Sequence, residues 1–353
     1  MDILNNSRVV IFCDNKFGSR TSKVATSYLR YKSTSCVGVI DKERTEKTVN
    51  DVLGYGGNIP IVSSINHTDD LKPDVLLIGV GLFSNALPTD WRDTIIYALT
   101  NRMHVVSGLH FRLSTDPEFA ALAKEFGVKI WDTKEPPEHL VTSRNKVRNR
   151  KNFVIHTVGS DCRVGKKTSA LEITQEANKR GISCGMAATG QSGIYISGNG
   201  VAIDAVPADF IAGAAEALTI RACDSFDWVV VEGQGAITHP AYSGVTVGLL
   251  HGTQPEALIL CHQARLDHHK DWPDNKLQPL DVLIEDYERL ASYMRPAKVV
   301  AISVNCEDMS EEEAKAYISD IENTYKLPAT DVIKFGAGKL VDSLNNYLSK
   351  KNN

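Results

Sequence analysis

The sequence predicts an α/β protein of two parallel-sheet domains, the second a three-layer α/β/α domain built on a phosphate-binding turn. Three observations carry that reading. Short apolar runs alternate with amphipathic segments through both halves of the chain. The alternation breaks once, at residues 135–150, and it restarts with an apolar strand that runs into a glycine- and lysine-rich turn at 159–168. Such alternation builds a parallel sheet covered by helices. A chain of 353 residues has room for about two such domains.

In the first half, Arg8–Cys13 reads as a strand, Ser22–Tyr31 as a helix and Cys36–Ile40 as a strand ending at Asp41. Val75–Ile78 is an apolar strand followed by Gly79 and Gly81. Thr89–Asn101 is helical, His104–Ser107 a strand, Pro117–Phe126 helical and Val128–Trp131 a strand. The segment from Glu135 to Arg150 carries Pro136-Pro137 and then Arg144, Lys146, Arg148, Arg150 and Lys151. It reads as a connection, which places a first domain at 1–135, a linker at 136–151 and a second domain at 152–353. The basic run reads as a solvated face, with an anion-binding face as the alternative.

In the second half, Phe153–Val158 is a strand, Thr168–Arg180 a helix closed by Gly181, and Ile182–Ala188 a strand. Pro207–Arg221 is a helix with proline early, where its missing N–H costs little. Asp227–Val231, Leu258–Cys261 and Lys298–Val304 are strands, and Leu280–Met294 is an amphipathic helix. Ser310–Tyr325 is a helix with Ser310 as N-cap and three glutamates in its first turn, and Val341–Leu348 closes the chain.

Composition excludes several classes. The net charge of −4 argues against a general nucleic-acid binder. Seven cysteines without C-x-x-C spacing read as free thiols in a reducing compartment, with no metal site. The start Met1-Asp2-Ile3-Leu4-Asn5-Asn6 lacks the features of a signal peptide. No stretch reaches the roughly 18 apolar residues of a membrane span. A cytoplasmic protein with small-molecule partners, bound to neither nucleic acid nor membrane, is the expectation.

The chemistry centres on Gly159-Ser160-Asp161-Cys162-Arg163-Val164-Gly165-Lys166-Lys167-Thr168. A strand precedes this turn and a helix follows it, the context of a P-loop. Its glycines let backbone N–H groups face phosphate oxygens, and the helix N-terminus adds partial positive charge. Lys166 can reach a phosphate as a point charge. Thr168, or less directly Ser169, can hold magnesium or a phosphate oxygen. Five residues separate Gly159 from Gly165, where four are usual, and Lys167 stands where the magnesium-binding hydroxyl normally follows the lysine. Both departures weaken ATP hydrolysis more than anion binding.

Two resemblances meet here. The turn, with Val229–Glu232-Gly233 and Val304-Asn305-Cys306, resembles the dethiobiotin-synthetase branch of P-loop NTPase-like proteins. That resemblance implies ATP and magnesium, with Asn305 reading a base. A more extensive one rests on Ala188-Thr189-Gly190-Gln191-Ser192-Gly193, on residues 200–216 and on Glu232-Gly233-Gln234-Gly235. It continues through residues 239–246 and Leu249-Leu250-His251-Gly252 to Ser303-Val304-Asn305. These resemble the family filed as domain of unknown function 1611 (DUF1611). It implies an N-terminal Rossmann-like domain, a C-terminal P-loop domain and, as in some members, acetyl transfer from acetyl-coenzyme A to a D-amino acid such as D-glutamate.

Acetyl transfer needs a base for the amine and donors for the oxyanion. Glu232, at the carboxyl end of an apolar strand, suits a base or an ammonium holder, with a turn-capping carboxylate as the alternative. His239 is a second candidate base. Asp204 reads as an ammonium contact or a helix cap, and Asp209 as a cap. Gln191, Ser192, Tyr242, Ser243 and His251 are candidate substrate contacts. His262, His268 and His269 with Asp267 fit no zinc spacing and read as a solvated loop. Cys162 sits at a helix N-terminus but has no partner base nearby in sequence. In the first domain, Asp14-Asn15-Lys16-Phe17-Gly18-Ser19 lacks the glycines of a dinucleotide fingerprint, although Asp41 ends the second strand where a ribose-binding acid would sit. That domain is expected to shape a cleft or a homo-oligomer interface.

Overall fold

The computed structural model describes residues 3–18, 22–82 and 86–352. Ser19, the last residue of the loop read above, lies outside them. The chain divides into two units, residues 1–135 with 194–202, and residues 136–193 with 203–353.

The first unit contains β1 (Val9–Phe12), α1 (Lys23–Lys32), β2 (Cys36–Ile40), α2 (Val49–Leu53), β3 (Ile61–Val62), β4 (Val75–Ile78), α3 (Thr89–Thr100), β5 (His104–Ser107), α4 (Pro117–Phe126) and β6 (Ile130–Asp132). Its strands order as β3-β2-β1-β4-β5-β6, and every pair is parallel. That is the doubly wound order with the chain reversal beside β1. β1 and β4 are buried at every residue, as strands covered on both faces must be. Trp91, Tyr28, Phe17 and Phe119 fill the space between sheet and helices.

The Asp41 carboxylate is buried and accepts the backbone N–H groups of Phe17 at 2.7 Å and Glu43 at 3.1 Å, so it holds the β1–α1 loop. Helix α4 starts as its sequence dictates. Asp116 caps the N–H groups of Glu118 and Phe119, Pro117 follows, and Gly127 ends the helix at φ 69°.

The second half continues with β7 (Phe153–Gly159), α5 (Lys166–Lys179), β8 (Cys184–Ala187), α6 (Gln191–Ser197), α7 (Ile211–Cys223), β9 (Trp228–Val231), α8 (Ser243–Thr253), β10 (Ala257–Gln263), β11 (His268–His269), β12 (Trp272–Lys276), α9 (Leu280–Ser292), β13 (Lys298–Asn305), α10 (Glu311–Tyr325), β14 (Ala329–Thr330) and α11 (Gly338–Asn352). Residues from Ile194 in α6 belong to the first unit, where Tyr195 is buried with its ring 5.7 Å from Trp131. The parallel sheet of the second unit runs β14-β13-β10-β7-β9-β8, with β7 internal and buried throughout. β11 and β12 form a separate antiparallel pair.

Several elements differ from the sequence expectation. The helix expected from Pro207 begins as a 3₁₀ turn at Ala208–Phe210 and becomes α7 only at Ile211. α8, with three glycines in eleven residues, carried no helical signal. Packing supplies the reason: a Cβ on Gly252 would stand 2.2 Å from the Ala212 carbonyl oxygen, and one on Gly248 would stand 2.8 Å from Ile211. The glycines that weaken α8 alone let it press against α7. Residues 136–151 are fastened to the second unit. Glu216 of α7 accepts the N–H groups of Arg144 and Lys146, Gln254 accepts that of Arg148, and a Cβ on Gly213 would overlap the Val141 carbonyl.

Candidate active site

β7 delivers Gly159 to the carboxyl edge of the sheet, and α5 opens at Lys166. Between them the backbone turns through Arg163 at φ 59° and Gly165 at φ 109°. The first value is unusual for a residue with a Cβ, and the second suits glycine alone. Lys166 is buried and its Nζ donates to the Asp161 carbonyl oxygen at 2.6 Å, lying against Gly159, where a Cβ would meet it at 2.8 Å. Burial lowers the Lys166 pKa, while Cys162, Cys261, Asp161 and Glu232 favour the charge.

Three anchors fix the turn. Tyr287 of α9 donates its hydroxyl to the Gly159 carbonyl at 2.7 Å and accepts the Ile237 N–H at 3.2 Å, and burial keeps the phenol neutral. Ser160 Oγ and His262 Nδ1 share a hydrogen bond of 2.9 Å. Burial pushes the His262 pKa down to about 4. Asp161, fully buried, accepts from His269 Nδ1 at 2.7 Å on one oxygen and from the Lys270 N–H at 2.8 Å on the other. Arg163 pairs with Asp271, and Lys270 Nζ donates to the Arg163 carbonyl at 3.1 Å. The β11–β12 hairpin is thus clamped onto the loop. His262 and His269, expected in a solvated stretch, are buried supports of the phosphate turn.

Glu232 leaves β9 beside this turn. Its Oε2 accepts the N–H groups of Thr189 at 3.0 Å and Gly190 at 3.1 Å, ahead of α6. A Cβ on Gly193 would lie 2.3 Å from the same oxygen, which accounts for glycine there. Oε1 accepts no hydrogen bond among the described residues. Burial raises the Glu232 pKa, against the opposing charges of Lys167 and Lys166 and the two backbone donors. Gly233 allows β9 to approach β7, since a Cβ there would sit 1.7 Å from the Thr157 carbonyl oxygen.

The remaining candidates divide. Lys167 is half-buried within reach of the Glu232 charge. Thr168 lies in the first turn of α5 and its hydroxyl makes no hydrogen bond among the described residues. Ser169 hydrogen-bonds the Gly165 carbonyl at 3.1 Å and Ser303 Oγ at 2.8 Å. Asn305 ends β13 with its Cβ 4.0 Å from a Cβ built on Gly165. Val164 is buried and packs beside Gly159. Gln191 and Ser192 open α6, half-buried, next to the turn that Glu232 holds.

His239 also reaches the loop. Its side chain is fully buried, its Nδ1 accepts the Ala241 N–H at 3.1 Å, and its Nε2 lies 3.7 Å from Asp161 Oδ1. A neutral ring accepting at Nδ1 keeps its proton on Nε2. Burial also lowers its pKa. Tyr242, 47% exposed, tilts over this ring at 4.8 Å, and Trp272 meets it edge-on at 4.6 Å. Ser243 is the first residue of α8. His251 lies two turns further along, where its Nε2 donates to the Leu290 carbonyl at 3.0 Å; it ties α8 to α9 rather than lining the loop. Asp204 and Asp209 are exposed on 3₁₀ turns.

A strand, a glycine-rich turn closed by a lysine and a helix define the second unit as a P-loop domain, and the 3-2-1-4-5-6 sheet defines the first as Rossmann-like. The chain belongs to the DUF1611 family. Residues 141–341 match the domain of unknown function (DUF1611_C) P-loop domain, and residues 42–136 the corresponding (DUF1611_N) Rossmann-like domain. A D-glutamate N-acetyltransferase of Tritonibacter scottomollicae is 38% identical over 293 residues, 82% of this chain and 87% of that protein. A D-glutamate N-acetyltransferase of a Pseudoalteromonas species is 33% identical over 337 residues, 95% of this chain and 98% of that protein. The crystal structure of a DUF1611 family protein from Anabaena variabilis superposes with a TM-score of 0.92 at 34% identity, covering 97% of this chain and all of that one.

Proposed function

We propose that the protein transfers the acetyl group of acetyl-coenzyme A to the amino group of D-glutamate. The two curated relatives, matched over most of their length, make it an N-acetyltransferase. The observation that supports the donor is the loop itself. Backbone N–H groups at a helix N-terminus, the Lys166 ammonium on Asp161 O and a second lysine beside it suit the phosphates of coenzyme A.

The reaction needs the neutral amine, which attacks the thioester carbonyl; the C–N bond forms, the C–S bond breaks, and the thiolate leaves with a proton. Glu232 fits the base. It is buried, its Oε2 is fixed by two backbone donors, and its Oε1 is left for the substrate ammonium. The half-buried Lys167 adds positive charge beside it. Purified protein mixed with acetyl-coenzyme A and D-glutamate releases free thiol and N-acetyl-D-glutamate, with L-glutamate as the comparison. No thiol release with either enantiomer removes the reading. The Thr168 hydroxyl, without a hydrogen bond among the described residues, favours a second reading, an ATP- and magnesium-dependent ligase or kinase. Calorimetry with ATP and magnesium separates the two, since the acetyltransferase binds coenzyme A and not ATP.

A further inference from the structure

Three side chains converge at the phosphate turn. The Asp161 carboxylate, the Cys162 thiol and the His239 imidazole each present a ligand atom, and these atoms lie within 4.8 Å of one another. His239 Nε2 is buried and has no hydrogen-bond partner among the described residues. It faces Asp161 Oδ1 at 3.7 Å, too far for a hydrogen bond. With metal bonds of about 2.0–2.1 Å, a nitrogen and an oxygen on one tetrahedral cation stand about 3.4 Å apart. The observed separation is therefore close to that of two ligands sharing an ion.

We propose that Asp161, Cys162 and His239 bind one divalent cation, zinc by the chemistry of the ligand set. Thiolate and imidazole select a borderline-soft ion over magnesium, and two anionic ligands balance its charge. Three protein ligands leave the fourth position for a solvent or ligand oxygen beside the half-buried Cys162, the arrangement of reactive rather than structural zinc. The carboxylate is already oriented from behind, by His269 Nδ1 on one oxygen and the Lys270 N–H on the other. Binding has a defined proton balance. Cys162 gives up its thiol proton, and the His239 proton moves from Nε2 to Nδ1. The Ala241 N–H, which Nδ1 accepts in the metal-free protein, gives up that hydrogen bond. One proton is released per ion bound to a site with neutral thiol.

The proposal does not depend on the acetyl donor, and its test reads metal rather than turnover. Full-length protein free of any histidine tag is stripped with a chelator, loaded with zinc, desalted and assayed for metal content. Cobalt loading is followed by the thiolate-to-cobalt charge-transfer band. The expected result is one zinc per chain and a cobalt–thiolate band, both lost in Cys162→Ser and in His239→Gln but retained in His251→Gln, with circular dichroism confirming that each variant is folded. Folded wild-type protein that retains no zinc overturns the proposal. So does zinc content that survives both substitutions. Acetyl transfer without zinc binding would leave the proposed activity standing and remove the metal site alone.

Discussion

His269 Nδ1 donates to Asp161 Oδ1 across 2.7 Å, joining two buried side chains 108 residues apart in sequence. The bond fastens the β11–β12 hairpin to the phosphate turn, so the turn's shape depends on a segment outside the main sheet. His269→Ala leaves a buried carboxylate short of one partner, at a cost of roughly 1–3 kcal/mol. Urea unfolding should show that loss, and the KM for acetyl-coenzyme A should rise several-fold as the turn loosens.

Lys166 is expected to exchange its bond to the Asp161 carbonyl for one to a phosphate. Charged hydrogen bonds of this kind are worth about 1.5–3 kcal/mol, or roughly 10- to 150-fold in affinity. Lys166→Met should therefore weaken coenzyme A binding by about that factor in calorimetry. Lys167→Met, which removes the second lysine of the turn and alters the charge beside Glu232, should lower both donor affinity and kcat.

Glu232→Gln keeps an acceptor for the Thr189 and Gly190 N–H groups, so the fold should survive. Loss of a general base lowers kcat on the order of 100- to 10,000-fold. Because burial raises the Glu232 pKa, the carboxylate takes up a proton sooner than an ordinary one as pH falls. Wild-type kcat/KM should decline on that acidic limb, and the residual activity of the variant should lack the limb.

Two buried histidines make stability depend on pH. Burial holds His262 at about 4 and His156 at about 3, below the ordinary 6.5. Above pH 6.5 neither the folded nor the unfolded state protonates them and stability is complete. Below it the unfolded chain takes up protons that the folded chain refuses, and stability drains away toward pH 4 and then 3. At pH 5 the loss is roughly 2 kcal/mol per histidine. Urea midpoints at pH 7 and pH 5 should show it, with a smaller drop in His262→Asn.

The sheets were legible because buried strands read as unbroken apolar runs, as in Val75–Ile78 and Trp228–Val231. The phosphate turn was legible because its glycines, lysines, strand and helix are contiguous. α8 was not, since Gly244, Gly248 and Gly252 argue against a helix until α7 is placed beside them. Nor were the supports of the turn. His262, His269 and Tyr287 act on residues 102 to 128 positions away, and no local spacing encodes such a pairing. For the same reason His239 became a neighbour of Asp161 and Cys162 only through the fold.

The decisive measurement is a crystal structure with bound coenzyme A. Phosphate oxygens should lie within hydrogen-bonding distance of the backbone N–H groups of residues 159–168, with Lys166 Nζ moved from the Asp161 carbonyl onto a phosphate. Coenzyme A held elsewhere, with Lys166 still closed on its own loop, would contradict it.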